Sequence, residues 1–153
     1  MPIQPLFLDC HTKIRFFLEG FEKIIAKYGD PRAPAAAAQI ARYLREGLPL
    51  HAQDEDLSLA PRLLQVHPEL SGLLAELAED HLRMDAGMPA VLALLDRWAA
   101  VQPPPRPELA EASHWLNSVL LPHLEREEKE LFPACDGIPE EEEIRREMRA
   151  RRG

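Results

Sequence analysis

Cysteine is nearly missing from this chain. Cys10 and Cys135 are the whole supply among 153 residues, and no C-x-x-C spacing occurs, which excludes a disulfide framework and a zinc knuckle and suits a reducing cytoplasm. Long apolar runs are missing too: none reaches the ~18 residues needed to span a bilayer. The opening stretch, Met-Pro-Ile-Gln-Pro-Leu-Phe-Leu-Asp-Cys, carries no basic region of the kind that begins an export signal. These absences predict a soluble, unexported, cytoplasmic protein with no membrane partner. Positive charge is in short supply, 18 Lys and Arg against 26 Asp and Glu, for a formal charge of −8 and a pI near 5.2. Phosphate backbones are repelled by such a chain, so nucleic acid is not expected as a partner. Strand signals are scarce as well. Ala, Leu, Glu and Arg dominate, and apolar positions recur at three and four rather than two, which predicts an all-α protein.

What is present is punctuation and pattern. Proline and glycine clusters fall at residues 29–34, 66–68 and 103–107, and they divide the chain into helical segments. A first helix is predicted over residues 9–28, capped by Asp9 and stopped by Gly29. A second is predicted over 35–56, followed by a short helix over 59–66 that starts at Pro61. A third spans 69–101 with a kink at Pro89, and a fourth spans 108–131. The inward stripes read His11, Ile14, Leu18, Phe21, Ile25, Tyr28; then Ile40, Leu44, Leu48, His51, Glu55; then Leu70, Leu74, Leu77, His81, Met84, Met88, Val91, Leu95; then Leu109, Ala112, Leu116, Val119, His123, Glu127, Leu131. Each stripe carries one imidazole. At 153 residues this makes one domain, with residues 1–138 forming the helical unit and 139–153 a charged helical tail.

The same His-x-x-x-Glu pair occurs twice, as His51 with Glu55 and His123 with Glu127, and the surroundings repeat with it. Each His has Leu at +8 and Pro at +10, namely Leu59 and Pro61 or Leu131 and Pro133, and a proline shortly before, Pro49 or Pro122. His11 to His51 spans 40 residues and His81 to His123 spans 42, so two helical hairpins related by a pseudo-twofold are expected. A single such pair on a helix is usually a solvated contact worth about 0.2 to 0.5 kcal/mol. Recurrence on the apolar stripe is what carries meaning. Carboxylates in a dry core are costly unless something cationic pairs with them. Imidazole and carboxylate together, without thiolate, suit Fe, Mn or Zn. Four His and two Glu can saturate one octahedral ion, or serve two ions with both Glu bridging and positions open for an oxo bridge and a small exogenous ligand.

Four segments carry a resemblance to a known family: Asp-Cys-His-x-x-Ile-Arg at 9–15, Leu-Pro-Leu-His-Ala-Gln-Asp-Glu-Asp-Leu at 48–57, Glu-Asp-His at 79–81 and His-Leu-Glu-Arg-Glu-Glu-x-x-Leu-Phe-Pro at 123–133. In this order the chain resembles the hemerythrin-like HHE cation-binding domains, from about Leu6 to Pro133. The resemblance implies an up-down four-helix bundle, here with a short C-terminal helix, around an oxo-bridged di-iron centre. By that analogy Glu55 and Glu127 are the bridges, and His11, His51, His81 and His123 are terminal ligands. The set is similar to that of the di-iron domain of iron-sulfur cluster repair proteins. Oxygen-carrying hemerythrins use a further His where this chain has Asp85, which is expected to ligate or to accept a hydrogen bond from an imidazole.

The function expected is a metal-binding protein that takes O2, NO or peroxide for sensing, carriage or iron handling. The alternative is an enzyme reducing NO or peroxide or repairing clusters, and whether it is an enzyme stays open. Outside the metal set the residues read plainly. His67 and His114 are exposed, Met84 and Met88 fill the core, and Cys10 packs off the metal axis. Asp54, Asp56, Glu125, Glu128 and Glu130 form a solvated acidic face. Pro49 and Pro122 are expected to kink their helices so that the following His and Glu reach the centre. The tail, with Glu140 to Glu143 ahead of five arginines, is a surface helix docking through Ile144 and Met148. Contact with a second copy as a homodimer is the other use open to it.

Overall fold

A computed structural model describes residues 2–153, and among these there is no strand. Seven α-helices are present: α1 (Gln4–Ala26), α2 (Ala33–Arg42), α3 (Leu48–Gln53), α4 (Ala60–Val66), α5 (Ser71–Ala99), α6 (Arg106–Arg126) and α7 (Glu141–Arg151). Several carry a proline as their second residue, where its preset φ and missing N–H cost little in a first turn. Pro5 does this for α1, so that helix starts at Gln4 and Asp9 lies inside it rather than capping it. Gly29, with φ of +97°, turns the chain just past its end as expected. α5 runs unbroken through Pro89.

The predicted break between a second helix and a short one at Pro61 is absent. α2, α3 and α4 form one helical run over residues 33–66, joined by π-helical segments at Tyr43–Gly47 and Asp54–Leu59. The joining residues Tyr43, Leu48, Asp54 and Ala60 all keep right-handed helical φ and ψ. A third π segment, Glu127–Leu131, continues α6. Each π segment ends two residues before a proline: Pro49, Pro61 and Pro133. A proline ring collides with the carbonyl four residues back and leaves it without a donor. Here those carbonyls belong to Arg45, Leu57 and Lys129, each inside a π segment, where the widened turn relieves the clash. Pro122 lies in α6 with no π segment before it, so the two prolines that precede the His-Glu pairs are accommodated differently.

Two apolar cores hold the helices together. One contains Ile14, Leu18, Leu48, Met84, Met88, Leu120 and Leu124; the other contains Phe7, Leu59, Leu63, Leu77, Leu131, Phe132, Ile144 and Met148. Along α1 the chain passes from Phe7 through His11 to Ile14, and along residues 48–59 from Leu48 through His51 and Glu55 to Leu59. The order in which a segment meets the two cores therefore reverses, and it reverses again in α5 (Leu77, His81, Met84) and α6 (Leu124, Glu127, Leu131). A layer of imidazoles and carboxylates is thereby held between two dry cores. Tyr28, expected inward, is 37% exposed and donates its hydroxyl to the Pro104 carbonyl at 2.7 Å.

Candidate metal centre

All six expected residues meet in that layer. His11, Glu127, His123, Glu55 and His51 are between 0% and 5% exposed, and the His81 side chain is 13% exposed. They resolve into two trios whose donor atoms lie within 4.8 Å of one another: His11, His51 and Glu127 in one, Glu55, His81 and His123 in the other. Each trio takes both imidazoles from one hairpin and its carboxylate from the other. The i,i+4 pairs are thus divided between trios. Glu55 Oε1 stands 2.7 Å from His51 Nε2 and 3.9 Å from His81 Nε2, and Glu127 Oε1 stands 2.9 Å from His123 Nε2 and 3.4 Å from His11 Nε2. Each carboxylate consequently faces one imidazole of either trio. Ring contacts follow the hairpins too, His11 with His51 at 5.3 Å and His81 with His123 at 4.8 Å between centroids.

The polar atoms at the centre do not satisfy one another. His11 Nε2, His51 Nε2, Glu55 Oε1 and both Glu127 oxygens are buried without a hydrogen-bond partner, a state that natural cores avoid. Two donors sharing one cation at ~2.1 Å, at right angles, would lie ~3 Å apart, close to most of the separations seen. The residues fit a cation. Hard oxygen and imidazole nitrogen with no thiolate are the donor set of iron, manganese or zinc.

The outer ring nitrogens are held from behind. His11 Nδ1 lies 2.7 Å from Glu128 Oε2, His81 Nδ1 lies 2.8 Å from Asp56 Oδ2, and His123 Nδ1 lies 2.9 Å from Asp80 Oδ2. A carboxylate can only accept, so these three imidazoles donate from Nδ1 and turn a lone pair inward from Nε2. Glu128 also takes Arg15 through both of its oxygens, at 2.8 and 3.1 Å, and Asp80 takes Arg83. Asp56 and Glu128 were expected on a solvated face; Asp56 is exposed and Glu128 half-buried, and both also accept a hydrogen bond from a ligand-type imidazole. Asp80 was missed. For Asp56 and Glu128 the available signal was repetition, since each stands five residues after a stripe His. Asp54, another member of that face, is fully buried, held by Arg151 at 2.9 Å and Arg152 at 2.7 Å. Asp85 is exposed and belongs to neither trio, and it bonds no imidazole.

Electrostatics follow from this arrangement. Burial works against charge on His51, but Glu55 and Cys10 beside it raise its pKa. Burial likewise opposes charge on His81, and Asp56 and Glu55 overcome it to raise that group. Burial keeps His11 and His123 below their ordinary value despite acidic neighbours. Glu55 would be pushed up by burial, yet His51, His81 and His123 hold it down as a carboxylate.

A cavity of about 50 Å³ reaches the layer, lined by His51, His81 and His123 together with Leu44, Leu48, Met84, Met88 and Leu124, and bordered by Pro49, Ala52 and Asp85. Apart from the imidazoles and Asp85 its walls are apolar.

The profile of the hemerythrin HHE cation-binding domain matches residues 3–135. An uncharacterized protein of Haemophilus influenzae is 32% identical to this chain over 84 residues, which cover 52% of this chain and 48% of that protein. The chain is thus similar to about half the length of that relative.

Proposed function

The chain belongs to the hemerythrin HHE cation-binding family, and on that premise we propose that it is a non-haem di-iron protein that binds a small ligand such as O2, NO or peroxide, for sensing, carriage or iron handling. We read its helices as an up-down four-helix bundle plus α7, in keeping with the reversing order of the two cores. The observation that carries the functional reading is the pair of trios, with each carboxylate facing an imidazole of both. His11 and His51 would hold one ion, His81 and His123 the other, and Glu55 and Glu127 would bridge them. Iron would supply a change of redox state and an open position for an exogenous ligand.

The chain's own residues do the rest. Glu128, Asp56 and Asp80 fix the ring orientations, Phe7 and Phe132 close over the His11–His51 side, and the two cores keep water away. The cavity selects what arrives: about 50 Å³ with apolar walls admits a small uncharged molecule and disfavours a hydrated ion. In this reading Asp85 stands at the cavity border in contact with solvent.

Metal analysis of protein purified without added iron, followed by stopped-flow mixing of the reduced iron form with O2, NO and peroxide, tests the proposal. Two ions per chain and a stable new visible band with one of the three are expected. One ion or none, or no band with any of them, would overturn it, and repeated consumption in the presence of a reductant would mark the protein as an enzyme.

A further inference from the structure

The pseudo-twofold pairs the positions of the two hairpins. Residues of α1 correspond to residues 70 later in α5, and residues of α3 and the π segment after it to residues 72 later in α6 and its π segment: His11 with His81, His51 with His123, Glu55 with Glu127, Asp56 with Glu128. The supports obey the same relation, for His11–Glu128 and His81–Asp56 are the same contact made twice. The remaining pair breaks it. His123 Nδ1 is held by Asp80, the residue just before His81. Its counterpart is Cys10, just before His11, and His51 Nδ1 is buried with no hydrogen-bond partner although the imidazole is only 5% exposed. By the same relation Cys10 takes the place that Asp80 has behind His123, but the His51 ring nitrogens have no hydrogen-bond partner there. It is a partly exposed free thiol.

We propose that Cys10, standing where the other hairpin has Asp80, leaves His51 without a carboxylate behind it, and that this makes the His11–His51 ion the more loosely held of the two. A carboxylate behind a ligating imidazole raises its basicity and locks its orientation, and losing such a partner costs about 10- to 100-fold in metal affinity. A thiol sulfur is a weak acceptor and does neither well. The two ions would then differ in affinity because of one outer residue, while their direct donors are alike.

This inference rests on the two-ion reading, and the experiment separates the two. The ferrous form of the full chain is mixed with excess chelator and iron release is followed by absorbance, alongside circular dichroism to confirm folding. The wild type should release two ions per chain in two phases of equal amplitude, with rates about tenfold or more apart. Cys10→Asp should slow the fast phase towards the slow one, Cys10→Asn should slow it less, and Asp80→Ala should accelerate the slow phase. Should Cys10→Asp fold poorly, Cys10→Asn and Asp80→Ala decide. A wild type that holds two ions and releases them in one phase overturns the role of Cys10, as does a fast phase that Cys10→Asp and Cys10→Asn leave unchanged. Fewer than two ions in the wild type overturns the two-ion reading and this inference with it.

Discussion

The two hairpins supply the same donors and support them differently. In the first, the π segment carrying Glu55 is clasped by α7. Arg151 and Arg152 grip the buried Asp54, Arg151 also donates to Ser58 at 2.6 Å, and Arg62 ties this segment to Glu147 at 3.0 Å. In the second, the residue matching Asp54 is Arg126, which makes pairs with Glu76 and Glu130 near the surface. A ring contact differs as well. Phe17 stacks on Tyr43 at 4.1 Å between centroids in the first; the matching positions in the second are Gly87 and Trp115, and a Cβ on Gly87 would fall within the indole. What is common to both halves is the chemistry pointed inward. What differs is how each half holds its shape, and α7, which lies beyond the residues matched to the family, is the main addition to one side.

The largest effect that can break this comparison is removal of metal. Chelation should destabilise both halves, because buried carboxylates and imidazoles then face one another unpaired. At a free metal level 1,000 times the dissociation constant the stabilisation lost is about 4 kcal/mol, readable as a fall in Tm by calorimetry. An unchanged Tm would mean that the layer is held by protons and hydrogen bonds alone.

Next come substitutions that should act on one half only. Asp54→Ala leaves Arg151 and Arg152 without their partner and Arg151 partly buried, and should cost roughly 2 to 3 kcal/mol in denaturant unfolding. The matching change Arg126→Ala removes exposed pairs and should cost under about 1 kcal/mol. Equal costs would show that α7 is not a clasp. Gly87→Ala forces a methyl into the Trp115 ring and should cost about 1 to 3 kcal/mol, with the metal content unchanged because the strain lies at the half-buried edge of the apolar core beyond the layer. Loss of metal in that variant would show that the two regions are coupled.

The smallest effect separates the thiols. Burial pushes Cys135 up to about 12, and its sulfur, 2% exposed, donates to the Leu131 carbonyl. In the folded protein an alkylating reagent should therefore modify Cys10 and spare Cys135, as read by peptide mass mapping. Modification of Cys135 at a similar rate would mean that the end of the second hairpin opens readily.

Much of this was legible in the chain. The period of three and four placed His11, His51, Glu55, His123 and Glu127 on buried faces, and it placed Ile14, Leu44, Met84 and Leu116 in the core. The π segments were not legible as such, although the prolines that accompany them were. Their effect is to let one helix continue where proline alone suggests a stop, so residues 59–66 read as a separate piece. The acidic residues beside the donors were read as solvent-facing because a helical wheel assigns each residue one direction. Asp56 stays exposed, yet it and Glu128 also reach sideways to imidazoles on neighbouring helices, and Asp54 is buried against arginines nearly 100 residues away in sequence.

The amino-acid sequence by itself determined that the protein is all-helical, that six donors lie on inward stripes, and that the chain repeats its own pattern, since periodicity along a helix is a local property written every few residues. Only the tertiary structure decided which donor atoms come together in each trio. His51 and Glu55 are neighbours on one turn, yet the packing sends Glu55 to the trio of His81 and His123 and brings Glu127 across to His11 and His51. The choice depends on how helices from separate hairpins cross, and a face on one helix does not specify which side chain of another will lie opposite it.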